Sequence, residues 1–475
     1  MVTIIAAPPV FESVQPDLFS TPAAFVNAWA DYDNDGDLDL FVGFNGTPNR
    51  LYRNDKGVFT DVAQQVGLAD ARATRAAAWG DYDADGDPDL LVGFAPGEAS
   101  VLRLYRNDRG KFYDASDRMN FKSNTGAVRQ TSWIDYDGDG DLDLFVGFRD
   151  QPNRLFWNTS TGFTDIAERN GLNDPRKTVG AVWFDYDEDG DLDLYTGNMD
   201  GDANGLFRNE QGRFTDVAAE VGVEWAGRAP SDTGNGTVRP CAADVDGDGK
   251  LDLFAANYGK NGLFLNREGG RFEDASSTWG IAIDSRYDSC AFADYDNDGK
   301  IDLYVNGTVT GGSSYRDYLF HNTGTRFEDA TPANIEALQA DHGVQWADFD
   351  FDGDVDLAVT GSQTNGMHFL LRNTLPAADL KRSLQVKVVD DKGRSTRAGA
   401  EVRLYAAGTR RLLGVRLVDT GSGYDSQNDA PVHFGLPSGG AVDIEVIYPR
   451  AGKRTPAIMK NVNPRQGSAV TLRVQ

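Results

Sequence analysis

The chain has 475 residues and a formal net charge of −27, from 73 Asp and Glu against 46 Lys and Arg. That balance argues against nucleic acid as a partner, because phosphate neutralisation needs clustered Lys and Arg. Hydrophobic residues (40%) and aromatics (11%) suffice for a packed core, and no apolar run reaches the roughly 18 residues that a membrane-spanning helix needs.

Met1 to Pro9 lacks the basic start and long apolar stretch of a secretory leader, so this end gives no address. The first candidate strand is Phe11-Glu12-Ser13-Val14. An acidic motif follows, Asp31-Tyr-Asp33-Asn-Asp35-Gly36-Asp37-Leu-Asp39, with further copies starting at Asp81, Asp135, Asp185, Asp244, Asp294 and Asp348. The spacings of 50, 54, 50, 59, 50 and 54 residues suit a four-stranded unit, and seven copies fall within the usual range of propeller blades.

After each motif comes a short apolar or β-branched run, as in Leu40-Phe41-Val42, Leu144-Phe145-Val146 and Leu303-Tyr304-Val305, which reads as strand. A third strand ends in a repeated Arg-Asn pair (Arg53-Asn54, Arg208-Asn209, Arg372-Asn373). A fourth begins at Phe59, Phe112, Phe163, Phe214, Phe272 and Phe327. Seven motifs with six fourth strands leave one vacancy. Phe11 to Val14 aligns with Phe59 to Val62 and would fill it, which favours a closed ring over an open solenoid because closure removes the exposed edge. Trp29, Trp79, Trp133, Trp183 and Trp346 stand two residues before their motifs, with Ala242 and Phe292 in the fifth and sixth. Such a repeated row reads as packing between blades. The expected fold is therefore all-β, a seven-bladed propeller over residues 9–376 closed by the N-terminal strand, followed by a small β-rich domain over 382–475.

Carboxylates at alternate positions of a short loop can wrap a hard cation that takes 6 to 8 oxygens, and calcium suits this loop better than magnesium, which holds its octahedral water shell. The expected side-chain ligands are positions 1, 3, 5 and 9. They are Asp31, Asp33, Asp35 and Asp39; Asp81, Asp83, Asp85 and Asp89; Asp135, Asp137, Asp139 and Asp143; and Asp185, Asp187, Asp189 and Asp193 in the first four copies. The last three copies give Asp244, Asp246, Asp248 and Asp252; Asp294, Asp296, Asp298 and Asp302; and Asp348, Asp350, Asp352 and Asp356.

Position 7 varies (Asp37, Asp87, Asp141, Asp191, Lys250, Lys300, Asp354), so only its backbone carbonyl is expected to bind. Gly at position 6 allows the sharp turn. An EF-hand would need Glu at position 12, where Val42, Thr196 or Ala255 stands instead. Seven Ca²⁺ ions, about one per blade, would move the formal charge from −27 to −13. Asp200 and Asp202 offer an eighth site, against the plainer reading of a polar turn.

These units resemble the FG-GAP and VCBS repeats of integrin α-subunit propellers. Thr420-Gly421-Ser422-Gly423-Tyr424-Asp425-Ser426-Gln427, followed by His433-Phe434-Gly435-Leu436, resembles the ASPIC/UnbV domain, with Pro376 to Lys381 as a linker. The two regions together resemble the cartilage acidic protein family, in its shorter, microbial-type form.

The resemblance implies a non-enzymatic, calcium-stabilised extracellular or periplasmic scaffold for adhesion or protein interaction, whose ligand is a protein or a glycan. A lectin-like propeller is the alternative. A polysaccharide-acting enzyme ranks lower, because His321, His342, His368 and His433 are scattered and no nucleophile motif accompanies them. Specificity is expected in the long loops Asn198 to Asn204, Trp225 to Arg239 and Asn306 to Arg316. Asn45, Asn158, Asn235 and Asn306 head glycosylation triplets, and Cys241 and Cys290 read as buried thiols or a disulfide, with thiols the leading expectation.

Overall fold

The computed structural model describes residues 9–97, 100–117, 125–338, 340–362, 366–464 and 469–474. Met1 to Pro8 and their bearing on export lie outside these. Strands dominate because apolar and β-branched runs alternate with Gly and Asp turns. The first unit is a meander of Ala24–Ala30, Asp39–Phe44, Arg50–Asp55 and Val58–Asp61, paired antiparallel in chain order. Its two inner strands are buried at every residue, while the outer ones alternate with solvent. Burial thus falls from the axis outward, as radially stacked sheets require.

Six more such units follow, and the innermost strands lie side by side around a complete circuit. The last unit takes its outer strand from the other end of the chain: Phe11–Ser13 pairs with Phe369–Asn373, with Phe11 opposite Asn373. Phe59 opposite Asn54 and Phe112 opposite Asn107 keep the same register in ordinary blades. The ring is closed by the N-terminal strand, as expected from the missing Phe.

The repeated Asn has a second role that the sequence did not disclose. Its side-chain amide donates to the backbone carbonyl at motif position 2 of the preceding blade, Asn107 to Tyr32 (2.7 Å), Asn158 to Tyr82 (2.9 Å) and Asn209 to Tyr136 (2.9 Å). Asn266, Asn322 and Asn373 continue the series, and Asn54 completes it on Phe349 (2.8 Å). Trp29, Trp79, Trp133 and Trp183 are almost wholly buried between blades, so the aromatic row is packing.

Two expectations are corrected. Cys241 and Cys290, on neighbouring inner strands, form a disulfide and are not free thiols. Asn306 is buried, and half-buried Asn158 belongs to the inter-blade series, so neither is an accessible glycan acceptor.

The C-terminal strands form two sheets, one of Val432–Gly435, Ser383–Asp390 and Ala469–Val474, the other of Leu412–Leu417, Glu401–Ala406, Val442–Pro449 and Arg454–Val462. Leu384, Val386, Val402, Phe434 and Ile444 lie in their shared core. These sheets sit on the propeller face that carries the acidic loops. From them the segment 419–429 enters the central channel. Gln427 exchanges two hydrogen bonds with the Trp133 backbone (2.7 and 3.0 Å), and Thr420 does the same with Trp183 (3.0 and 2.8 Å). Asn428 Oδ1 accepts the Trp29 N–H. The inner strands of a closed ring have no further blade strand to pair with, so these contacts, together with the parallel pairing of Ser426 and Gln427 with Ala77 and Ala78, satisfy otherwise orphaned backbone groups.

Candidate metal centres

Each acidic motif joins the inner strand of a blade to its second strand, and the same local bonds fold all seven. The Oδ2 of position 1 accepts the N–H of the position-6 Gly at 3.0–3.2 Å, and the position-5 carboxylate accepts the N–H of position 7 at 2.8–3.2 Å. The Gly has φ of +93° to +106°, a conformation that a side chain would strain. Position 9 is almost fully buried and accepts the backbone N–H of the repeated Asn at 2.7–2.8 Å.

This folding brings carboxylates of the expected ligands together. One oxygen each from Asp31, Asp33 and Asp39 lies within a mutual 4.8 Å, and so do those of Asp81, Asp83 and Asp85, of Asp135, Asp137 and Asp143, and of Asp185, Asp187 and Asp193. Position 5 stands at the solvent mouth: Asp35, Asp85, Asp139, Asp189 and Asp248 are exposed, while Asp298 and Asp352 are half-buried. Position 7 turns its side chain away. Asp37, Asp87 and Asp191 each accept the N–H of a hairpin residue and Asp354 that of Leu375, all at 3.0 Å, and Lys250 reaches Glu188; Lys300 is the exception and turns back onto Asp298 of its own loop.

The donor set fits a hard cation. The Oδ1 atoms of Asp31, Asp33, Asp135, Asp185, Asp187 and Asp244 are buried without any hydrogen bond, an arrangement that costs free energy unless a positive charge meets them. Burial pushes the carboxyls of Asp81, Asp135, Asp185 and Asp244 up to about 7, and that of Asp39 to about 9. Close carboxylates in a dry loop resist ionising together, and a divalent ion reverses that preference.

The C-terminal sheets supply partners that no motif announced. The Tyr448 hydroxyl donates to Asp135 (3.2 Å), Arg454 pairs with Asp185 (2.5 Å), Gln385 donates to Asp348 (2.6 Å) and the Gly435 N–H to Asp294 (3.1 Å). Cations also stand at the loops themselves: Arg267 pairs with Asp246 (2.7 Å) in the fifth and Arg372 with Asp350 (2.8 Å) in the seventh, while in the sixth Arg416 lies 3.7 Å from Asp294, Lys300 pairs with Asp298, and His321 Nδ1 stands 3.3 Å from both Asp296 and Asp302. Asp200 pairs with Arg149 (3.1 Å) and Asp202 accepts the Lys177 N–H (3.0 Å), the bonding of a polar turn.

A closed ring of four-stranded blades with an acidic loop in each defines a repeat β-propeller. The FG-GAP-like repeat family matches residues 31–92, 135–196, 185–255, 244–305 and 308–359, and the ASPIC and UnbV family matches 391–473. The chain belongs to the FG-GAP-like repeat family and joins to it an ASPIC and UnbV region. It is 27% identical over 465 residues to cartilage acidic protein 1 of Xenopus tropicalis, covering 89% of this chain and 70% of that protein. With the mouse protein of the same name it shares 29% over 257 residues, which is 52% of this chain and 38% of the relative. Among solved structures, the extracellular domain of a hybrid two-component system from B. thetaiotaomicron aligns over 95% of this chain and 56% of its own, at 11% identity and a TM-score of 0.49. A lectin from Agrocybe aegerita specific for non-reducing terminal N-acetylglucosamine aligns over 77% and 94%, at 17% identity and a TM-score of 0.40.

Proposed function

We propose that this protein is a non-enzymatic extracellular or periplasmic binding scaffold, held rigid by about seven Ca²⁺ ions in the blade loops and recognising its ligand on the face opposite them. The observation that carries this reading is the division of labour between the two faces. The acidic loops and tight hairpins lie under the C-terminal sheets, and this covered face has little room for a partner. Loops 198–204 and 306–316 join the second and third strands of blades 4 and 6, and 225–239 leads into the inner strand of blade 5, so all three lie at the end away from the acidic motifs and rise on the open face. Binding residues gather on such loops when a rigid scaffold positions them.

Position 1, 3, 5 and 9 side chains would hold each ion, and the two regions, 9–376 and 382–475, would act as one body because segment 419–429 threads the channel. Calcium supplies charge neutralisation and a cross-link between two strands of a blade. Extracellular calcium would keep even weak loops filled, and the Cys241–Cys290 disulfide suits an oxidising compartment.

Calcium titration with thermal melting tests the proposal. Loaded protein is expected to melt well above chelated protein, since each site contributes about 2.7 kcal/mol when calcium exceeds its Kd a hundredfold. Equal melting with and without chelator would sink the metal reading.

A further inference from the structure

Six residues before the first Asp of each motif, the inner strands carry Phe25, Arg75, Arg129 and Val179 in blades 1 to 4, then Val238, Asp288 and His342 in blades 5 to 7. In six blades the strand register jumps at this residue, for example between Thr74 and Ala76, between Val128 and Thr131, and between Tyr287 and Ser289. Such a bulge turns a side chain out of the ladder. Here the bulges aim it at the open mouth of the channel, around the tip of the inserted segment. Phe25, Val179 and Val238 share a cluster with Tyr424, the His342 ring lies 4.7 Å from the Tyr424 ring, and Arg75, Arg129 and Asp288 lie close enough to act on its hydroxyl electrostatically.

The chemistry of this ring departs from everything else in the repeat. Trp, Asp, Gly and Asn recur at their positions because each serves the frame of a blade, whereas the bulge position changes character from blade to blade. Blades 2 and 3 offer two guanidiniums, blades 4 and 5 two aliphatic groups, and blades 6 and 7 a carboxylate and an imidazole. Asp288 is already engaged, accepting the Thr308 hydroxyl (2.7 Å) and lying 3.4 Å from His342.

Arg75 and Arg129 are not engaged in that way. Both are half-buried, and among the described residues neither forms an ion pair. Arg75 stacks over Phe25 at 4.0 Å with its Nε unbonded, and the hydrogen bond of Arg129 runs to the carbonyl of its neighbour Val128 (3.3 Å). Behind them the buried Asp425 has no hydrogen bond to either oxygen, and Arg239, fully buried beside it, leaves Nε and Nη2 unpartnered. Arg75, Arg129 and Arg239 thus face two carboxylates, Asp288 and Asp425, and of the three guanidiniums only those of Arg75 and Arg129 reach solvent. Within a Debye length of about 8 Å these groups, and not the −27 of the whole chain, set the field that a ligand meets.

We propose that Arg75 and Arg129 bind an anionic group, a carboxylate or a sulfate ester, of a small ligand. This rests on the open face being the recognition face, and it names the ligand class.

The test uses the calcium-loaded full chain in calorimetric titrations with D-glucuronate, with methyl sulfate and with D-glucose, repeated on Arg75→Gln and Arg129→Gln. Saturable binding of at least one anion is expected, with glucose silent and each variant weakening it about tenfold or more. Glucuronate and methyl sulfate separate the two sources of charge. Having two variants guards against one that fails to fold, and their melting temperatures with calcium report folding. Absence of binding by either anion at tens of millimolar, glucose binding as well as glucuronate, or binding that both folded variants retain would overturn the proposal. A chain that shows the calcium-dependent melting shift but no anion binding defeats this inference alone and leaves the scaffold standing.

Discussion

The two faces of the propeller follow opposite rules. On the covered face the seven acidic loops repeat nearly atom for atom, with Gly at φ near +100° and the same bonds from positions 1, 5 and 9. On the open face the bulge position carries Phe25, Arg75, Val179, Asp288 or His342, and the connections differ in length from blade to blade. Repetition marks what every blade needs in order to stand. Divergence within a repeat marks where the molecule can be particular about a partner.

The largest expected effect concerns pH on the covered face. The raised carboxyls of Asp81, Asp135, Asp185 and Asp244 make the metal-free folded state bind more protons than the unfolded chain. Their contribution to stability is therefore full below the ordinary carboxylate value near 4 and is lost as pH rises through about 7. Chelated protein should melt at a lower temperature at pH 7.5 than at pH 5, while calcium affinity rises over the same interval as protons leave the ligands. Chelated protein that gains stability toward pH 7.5 would break the comparison.

Reducing the Cys241–Cys290 bond in loaded protein should cost about 2–4 kcal/mol in chemical denaturation, because it closes a loop of 49 residues between blades 5 and 6. Asn107→Ala should cost about 1–3 kcal/mol, since the buried Tyr32 carbonyl loses its inter-blade donor. Anion binding at the open face should survive that change, and its loss would show the two faces to be less separate than described. The smallest effect is expected at Asp200→Asn, which breaks an exposed pair with Arg149. Stability should change by less than about 1 kcal/mol and calcium stoichiometry not at all. A lost calcium equivalent would restore the eighth site.

Within the covered face the loops are also unequal. The sixth already holds Arg416, Lys300 and His321 against its carboxylates, so it should fill last in a calcium titration. The sequence showed Lys300 but could not show that Arg416, more than a hundred residues away, would arrive beside Asp294.

Much of the frame was legible in the residues alone. Strand alternation, the period of the acidic motif and the missing seventh Phe determined the blades, their count and their closure by Phe11, because each depends on local chemistry repeated along the chain. The acidic loops were legible for the same reason, since four carboxylates within nine residues must meet whatever lies around them. Tertiary structure alone decided the rest. The repeated Asn was visible as a strand ending, but its bond to the preceding blade needs the ring. The segment from Thr420 to Gln427 stood out as a motif, yet its place in the channel depends on inner strands drawn from the whole propeller. The position six residues before each motif has no constant residue along the chain, and only closure gathers its Phe, Arg, Val, Asp and His side chains around Tyr424. A sequence records which neighbours a residue has along the chain, and only the closed ring determines which it has across the axis.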